Sequence, residues 1–178
     1  MKYTLMFLAI MLIAGRAFAQ FGGNRGVGSV WHYPGQFGVE GDIGRSPIGF
    51  VYRASFAQYT QSDSYYKASL SYESGNFSQV NFNTYGASLI YFYSPYSLQQ
   101  TVFFNVGLGP ALNYDRVSNF FPSRKNQFNI GAIGGVEVEA AVSDYLMLTG
   151  SALQRVMTNN DLGGRRFEIE FGIKYLIN

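Results

Sequence analysis

From Phe37 to the end of the chain, apolar and polar residues alternate with a period of two, the repeat of a β-strand with two unlike faces. Eight segments carry the pattern: Phe37–Gly44, Ile48–Tyr59, Tyr65–Glu73, Tyr85–Tyr93, Thr101–Tyr114, Phe128–Val142, Tyr145–Met157 and Arg165–Ile177. No stretch shows a helical period. In the third segment Tyr66, Ala68, Leu70 and Tyr72 oppose Lys67, Ser69, Ser71 and Glu73. In the fifth, Val102, Phe104, Val106, Leu108, Leu112 and Tyr114 oppose Thr101, Asn105, Gly107, Gly109 and Asn113. The sixth sets Phe128, Ile130, Val136, Val138 and Val142 against Asn129, Glu137 and Glu139. The eighth sets Phe167, Ile169, Phe171, Ile173, Tyr175 and Ile177 against Glu168, Glu170, Gly172 and Lys174, with the apolar Leu176 closing the polar row. The seventh is apolar on both faces and its orientation stays open.

The connections alternate as well. Short turns at Thr60–Ser64, Ser94–Gln100 and Ser143–Asp144 are interleaved with longer or more polar loops at Ser74–Thr84, Asp115–Gln127 and Thr158–Gly164. Only the first hairpin, around Arg45-Ser46-Pro47, breaks that rhythm. Strands of about the 9–11 residues needed to cross a bilayer at a tilt, joined in this way, predict an eight-stranded antiparallel up-and-down barrel of the outer-membrane type, with both termini in the periplasm. Pro110 falls within the fifth strand, where a bulge or kink is expected.

Alternation alone fits two barrels with opposite geometry. A soluble barrel turns its apolar face inward around a ligand; a membrane barrel turns it outward into lipid. The polar faces here are rich in Gly, Ser and Asn, which suits a crowded interior. Tyrosines gather near strand ends (Tyr59, Tyr65, Tyr66, Tyr85, Tyr91, Tyr93, Tyr114, Tyr145, Tyr175), as interfacial girdles do. The membrane version is favoured. Its lumen then receives Glu40, Asp42, Arg53, Lys67, Glu73, Glu137, Glu139, Arg155, Glu168, Glu170 and Lys174, which must pair as a mixed-sign network. Eight strands leave room for little beyond their own side chains, so the expectation is a plugged barrel, not a channel.

Composition sharpens this picture. Aromatic residues make up 17% of the 178-residue chain and charged residues only 13%, about half the charge of an ordinary soluble domain. Lys2, the apolar run Leu5–Ala14 and Ala17-Phe18-Ala19 have the layout of a cleaved signal peptide over residues 1–19. Residues 20–36 then read as a flexible Gly-rich periplasmic segment, and 37–178 as the barrel. Without Lys2 and Arg16, eleven basic residues balance eleven acidic ones. That neutrality argues against direct nucleic-acid binding. Cysteine is absent, which excludes disulfides and a lipoprotein anchor.

Little enzymatic chemistry emerges. The carboxylate pairs Glu137/Glu139 and Glu168/Glu170 have i, i+2 spacing on one strand face, where lumen lining explains them better than acid–base catalysis. His32 is the single histidine; it lies in the flexible segment and reads as solvated, so no multi-histidine metal site or His-based triad can form. The Gly-rich runs Phe21–Gly28 and Gly131–Gly135 lack the Lys-Ser/Thr of a phosphate loop. No cofactor and no enzymatic activity are expected. Arg165-Arg166 at the outer end of the last strand fits either anionic headgroups or a solvated turn. In the loop before the sixth strand, Phe120 and Phe121 beside Arg124 and Lys125 either contact lipopolysaccharide or a partner protein, or fold down on the rim. At the C-terminus, Glu170, Gly172, Tyr175 and Ile177 resemble the signal read by the barrel-insertion machinery, although Ile177 replaces the usual final aromatic.

Several segments, in order, resemble the TraO conjugal transfer proteins of Bacteroidetes-type conjugative transposons. They are Pro34–Glu40 (P-G-Q-F-G-V-E), Thr84-Tyr85, Phe104–Leu108 (F-N-V-G-L), Tyr114–Asn119, Gly131–Glu137 with Val142–Tyr145 (V-S-D-Y), Asp161-Leu162 and the closing strand. The chain departs from that pattern in its Leu176-Ile177-Asn178 ending and in lacking Trp-Gly near Gly150–Thr158. The resemblance implies an outer-membrane component of a DNA-transfer apparatus, one that anchors or brackets it alongside other transfer proteins and does not conduct the DNA. The alternative is a general small outer-membrane barrel serving envelope integrity, adhesion or surface binding.

Overall fold

The computed structural model describes residues 32–77, 80–98, 101–117, 127–158 and 164–177. Its strands are β1 (Phe37–Arg45), β2 (Gly49–Gln61), β3 (Ser64–Phe77), β4 (Val80–Leu98), β5 (Val102–Val117), β6 (Gln127–Ser143), β7 (Leu146–Met157) and β8 (Arg165–Ile177). Each pairs antiparallel with its sequence neighbour, and β1 pairs with β8 from Phe37↔Ile177 to Arg45↔Ile169, which closes the barrel. Closure removes the exposed strand edges that an open sheet would present to lipid.

The direct register runs from Phe37 through Gln58, Tyr66, Tyr91, Leu108, Gly134, Gln154 and Phe167. One such circuit comes back to the line of β1 ten residues farther along. That stagger corresponds to strands tilted by roughly 40°. The β1 start and β8 end lie at one rim with the facing ends of β2/β3, β4/β5 and β6/β7 (the turn end). The facing ends of β1/β2, β3/β4, β5/β6 and β7/β8 lie at the other (the loop end).

Two expected boundaries change. The polar stretch Ser74–Thr84 is not a long loop, because β3 and β4 continue through it with Ser74↔Asn83, Gly75↔Phe82 and Asn76↔Asn81 in register. Asn76 Nδ2 donates to Asn81 Oδ1 at 3.0 Å. An extension past the membrane has water on its outer face, so it needs no apolar alternation. Glycine is required where it meets the first hairpin: a Cβ on Gly75 would lie 2.0 Å from the Ile48 carbonyl oxygen. At the other rim, Ser94–Gln100 reads as a turn, but β4 runs on to Leu98 and takes up Pro95 in a register shift between Tyr93 and Tyr96. Pro110, by contrast, causes no bulge. Ser88↔Ala111 and Tyr91↔Leu108 keep one register on either side of it, with pairing interrupted at Leu89 and Ile90. The other two shifts, Tyr59/Gln61 and Ala141/Ser143, also lie near the turn end.

Facing follows the alternation. Leu70, Leu108, Phe171 and Ile43 project outward and are 63–69% exposed. The polar set is buried. β7, undecided from its pattern, turns Met147, Thr149, Ser151, Leu153, Arg155 and Met157 inward. Outward aromatics form two belts. Phe37, Tyr66, Tyr93, Tyr145 and Tyr175 lie toward the turn end, and Phe50, Tyr52, Tyr72, Tyr85, Tyr114, Phe128 and Phe167 toward the loop end. On β8, Tyr175 and Phe167 are eight residues apart, about 20 Å of height at that tilt. Tyr59 and Tyr65 do not belong to a belt: both are fully buried in the lumen.

Replacing Leu108 by Arg, at mid-height on the outer face, should destabilise the barrel by about 2–4 kcal/mol in lipid vesicles. Urea unfolding measures it; a neutral result would mean that this face meets water.

Candidate functional site

Among the described residues, the fold concentrates its charged and polar side chains in the lumen. Inward positions of all eight strands are two residues apart, so the barrel stacks its polar residues in storeys. All eleven expected residues, Glu40, Asp42, Arg53, Lys67, Glu73, Glu137, Glu139, Arg155, Glu168, Glu170 and Lys174, are there, each 5% exposed or less.

The storey nearest the turn end is built on two lysines. Lys67 Nζ donates to Glu40 Oε1 at 2.7 Å and Glu137 Oε2 at 2.6 Å. Lys174 Nζ pairs with Glu139 and lies 3.2 Å from Glu40 and 3.4 Å from Glu137. Tyr65 donates its hydroxyl proton to Glu137 at 2.6 Å, and Tyr59 donates to Glu139 at 3.1 Å. Asp42 sits just above, where Thr149 donates to its Oδ1 at 3.2 Å. Gly172 leaves room for it: a Cβ there would lie 1.9 Å from the same oxygen.

The middle storey is an arginine clamp. Arg53 donates through Nε and Nη2 to both oxygens of Glu170 at 2.8 Å, a bidentate pair, and through Nη2 to Glu168 at 2.7 Å. Arg155 holds Glu168 from the other side at 2.9 Å and donates to Asn113 Oδ1 at 3.1 Å. Opposite these charges, β4–β7 contribute Ile90, Ala111, Ile133 and Leu153. At the loop end, Arg166 donates to Glu73 at 2.8 Å and Thr84 at 3.2 Å and lies 3.4 Å from Asp115. Ser46 closes on Glu73, Thr84 on Asp115, and Asn129 donates to Asp115 at 2.8 Å.

Three members of this assembly are not in the expected set. Arg166 is not at a headgroup or a turn; it is 2% exposed and ties three strands together. The alternation that assigned Glu168 and Glu170 inward reaches Arg166 by the same count. Asp115 likewise shares a face with Asn113. His32 had no such signal. It is not solvated but 1% exposed, stacked on Phe103 at 3.8 Å, with Nε2 2.9 Å from Glu139 Oε2. The chain reaches β1 from there through a turn in which Gln36 N donates to Tyr33 O at 3.1 Å. Pro34 and Gly35 occupy its centre, with Gly35 at φ 88°, the residue pair a type II turn selects. Residues 32–36 therefore close the turn end of the lumen together with Tyr59, Tyr65, Phe92, Phe103 and Leu176.

Among the described residues eight inward carboxylates face five inward lysines and arginines, with His32 beside Glu139. The pairs Glu137/Glu139 and Glu168/Glu170 are 0–1% exposed and spent on these cations. Tyr175 and Ile177 of the C-terminal motif face outward while Glu170 and Gly172 face the lumen. Phe120, Phe121, Arg124 and Lys125 lie outside the described residues, as do residues 1–31.

No protein-family profile matches the chain, and no curated protein matches it. Solved structures do. Neisserial surface protein A (NspA) is 17% identical, covering 79% of this chain and 95% of that one, with a TM-score of 0.63. The N-terminal barrel domain of Pseudomonas aeruginosa OprF is 14% identical, covering 81% and 98%, with a TM-score of 0.59. Ail, the attachment invasion locus protein of Yersinia pestis, is 11% identical, covering 81% and 99%, with a TM-score of 0.55. The fold is that of eight-stranded outer-membrane barrels.

Arg53→Met should cost about 3–5 kcal/mol, because it strands Glu168 and Glu170 without their shared cation in a dry interior. Unfolding in vesicles reads this, and Arg53→Lys should recover only part. His32→Ala should instead speed chymotryptic cleavage at Tyr33 while shifting barrel unfolding little; unchanged cleavage would mean that His32 does not hold this segment.

Proposed function

We propose that the protein is a non-conducting, non-enzymatic outer-membrane barrel that serves the bacterial envelope through its surface, in envelope integrity, adhesion or surface binding. The observation that carries this reading is the lumen: interlocked ion pairs occupy every storey, so the chemistry left to meet a partner lies on the outer wall and the loops. Both termini are assigned to the periplasm in this reading, since the start of β1 and the end of β8 share a rim with the turns at 62–63 and 144–145. Its partners in this reading are outer-membrane lipid and lipopolysaccharide, and, during assembly, the barrel-insertion machinery acting on the Tyr175–Ile177 end. A neighbour in fold, Ail, is by its name an attachment and invasion protein, which supports surface binding.

A second reading has one specific observation behind it. The TraO-like segments extend over nearly the whole chain after residue 33, and they favour a role in a conjugative transfer apparatus. A filled lumen then makes the protein an anchor for other transfer components, with no direct contact to nucleic acid.

A strain lacking the gene separates the two. Detergent sensitivity or lost attachment with normal mating is the expected result; abolished mating with an intact envelope would move the assignment to the transfer apparatus. Purified protein in planar bilayers should show no stepwise conductance, and a steady open current would sink the sealed-lumen basis of both.

A further inference from the structure

Most charge among the described residues points into the lumen, and the five exceptions are sorted by sign. Asp63 and Asp144 sit in two connections at the turn end. Arg45, Arg116 and Arg165 are exposed at the loop end, on β1, β5 and β8. Each shares the outward face of its strand with a residue two positions nearer mid-height: Ile43, Tyr114 and Phe167, respectively. None of the three is paired with a carboxylate among the described residues. Arg45 lies 5.4 Å over the ring of Phe50 and borders an open cleft of about 290 Å³ with Ser46, Phe50 and Asn76.

We infer that these arginines bind the phosphates of lipopolysaccharide, on the lipid A headgroups of the leaflet at the loop end. The inference rests on the outer-membrane reading above and names its lipid contact. An outward arginine is costly in hydrocarbon and nearly free at the interface, and the aromatic belt beneath marks that interface. There a guanidinium meets phosphate oxygens bidentately, which water or a zwitterionic surface matches less well. Arg45 and Arg116 lie on one register line four strands apart, which at this stagger separates them by roughly 12 Å in height, so the three residues are spread over the loop end and do not form a single patch. That arrangement fits a shell of separate lipids better than one docked protein. Acidic residues in the opposite turns give the same orientation.

The test uses the full mature chain, folded first into phosphatidylcholine vesicles and then in detergent with fluorescent lipid A. Wild type and R45Q/R116Q/R165Q should both fold in vesicles. Lipid A affinity should fall about fivefold per arginine and about a hundredfold in the triple variant, while D63N/D144N stays at the wild-type value. Dephosphorylated lipid A should bind wild type as weakly as the triple variant binds lipid A. Triple-variant binding within twofold of wild type overturns the inference, as does equal binding of the dephosphorylated lipid. Displacement of lipid A by inorganic phosphate at matched concentration overturns the lipid as the ligand. A wild-type chain that stays soluble beside vesicles overturns the membrane reading itself, a result distinct from all of these.

Discussion

The structure depends on burying charge in pairs. A barrel with a lipid-facing exterior must put its polar residues inside, and eight strands enclose a space too narrow for bulk water to solvate them. Removing one partner of such a pair leaves an unpaired ion in a low-dielectric interior, which is far costlier than losing an exposed salt bridge. Arg53 between Glu168 and Glu170 is the centre of this arrangement, joining β2 to β8 across the lumen. Lys67 and Lys174 do the same nearer the turn end, and Arg166 does so at the loop end. Cross-lumen contacts of this kind favour one register, because a one-residue slip would carry the whole charged set to the lipid face.

The same constraint accounts for the irregularities. Glycines 109 and 172 stand where a Cβ would strike a neighbouring backbone oxygen or the Asp42 carboxylate. Tyr59 and Tyr65 leave the aromatic belts to donate to Glu139 and Glu137, so their hydroxyls satisfy carboxylates that the lysines alone do not saturate. His32 completes Glu139 from outside the strands and couples the segment ahead of β1 to the barrel interior. Among the described residues the inward charges are engaged with one another, which is the basis for the surface role proposed above. A fold shared with NspA, the N-terminal barrel domain of OprF and Ail does not by itself choose among roles.

The period-two pattern was sufficient for strand number, order, the facing of every strand but β7, and the eleven lumen charges, because a barrel's exterior and interior demand opposite polarity at every successive residue. It also contained Arg166 and Asp115, one alternation step beyond the positions first assigned. What the chain could not declare locally was anything set by contact across the lumen. β7 is apolar on both faces, and only packing decides that Leu153 and Met157 turn inward. The polar β3–β4 extension has no alternation to betray it, since water wets its outer face. His32 belongs to no strand, and its burial comes from stacking on Phe103 and Tyr59 beside Glu139 at the turn end. The sequence by itself thus determined the stave pattern, through local polarity. Only the tertiary structure decided which charges meet and what closes the lumen, because those pairings join residues up to 117 positions apart.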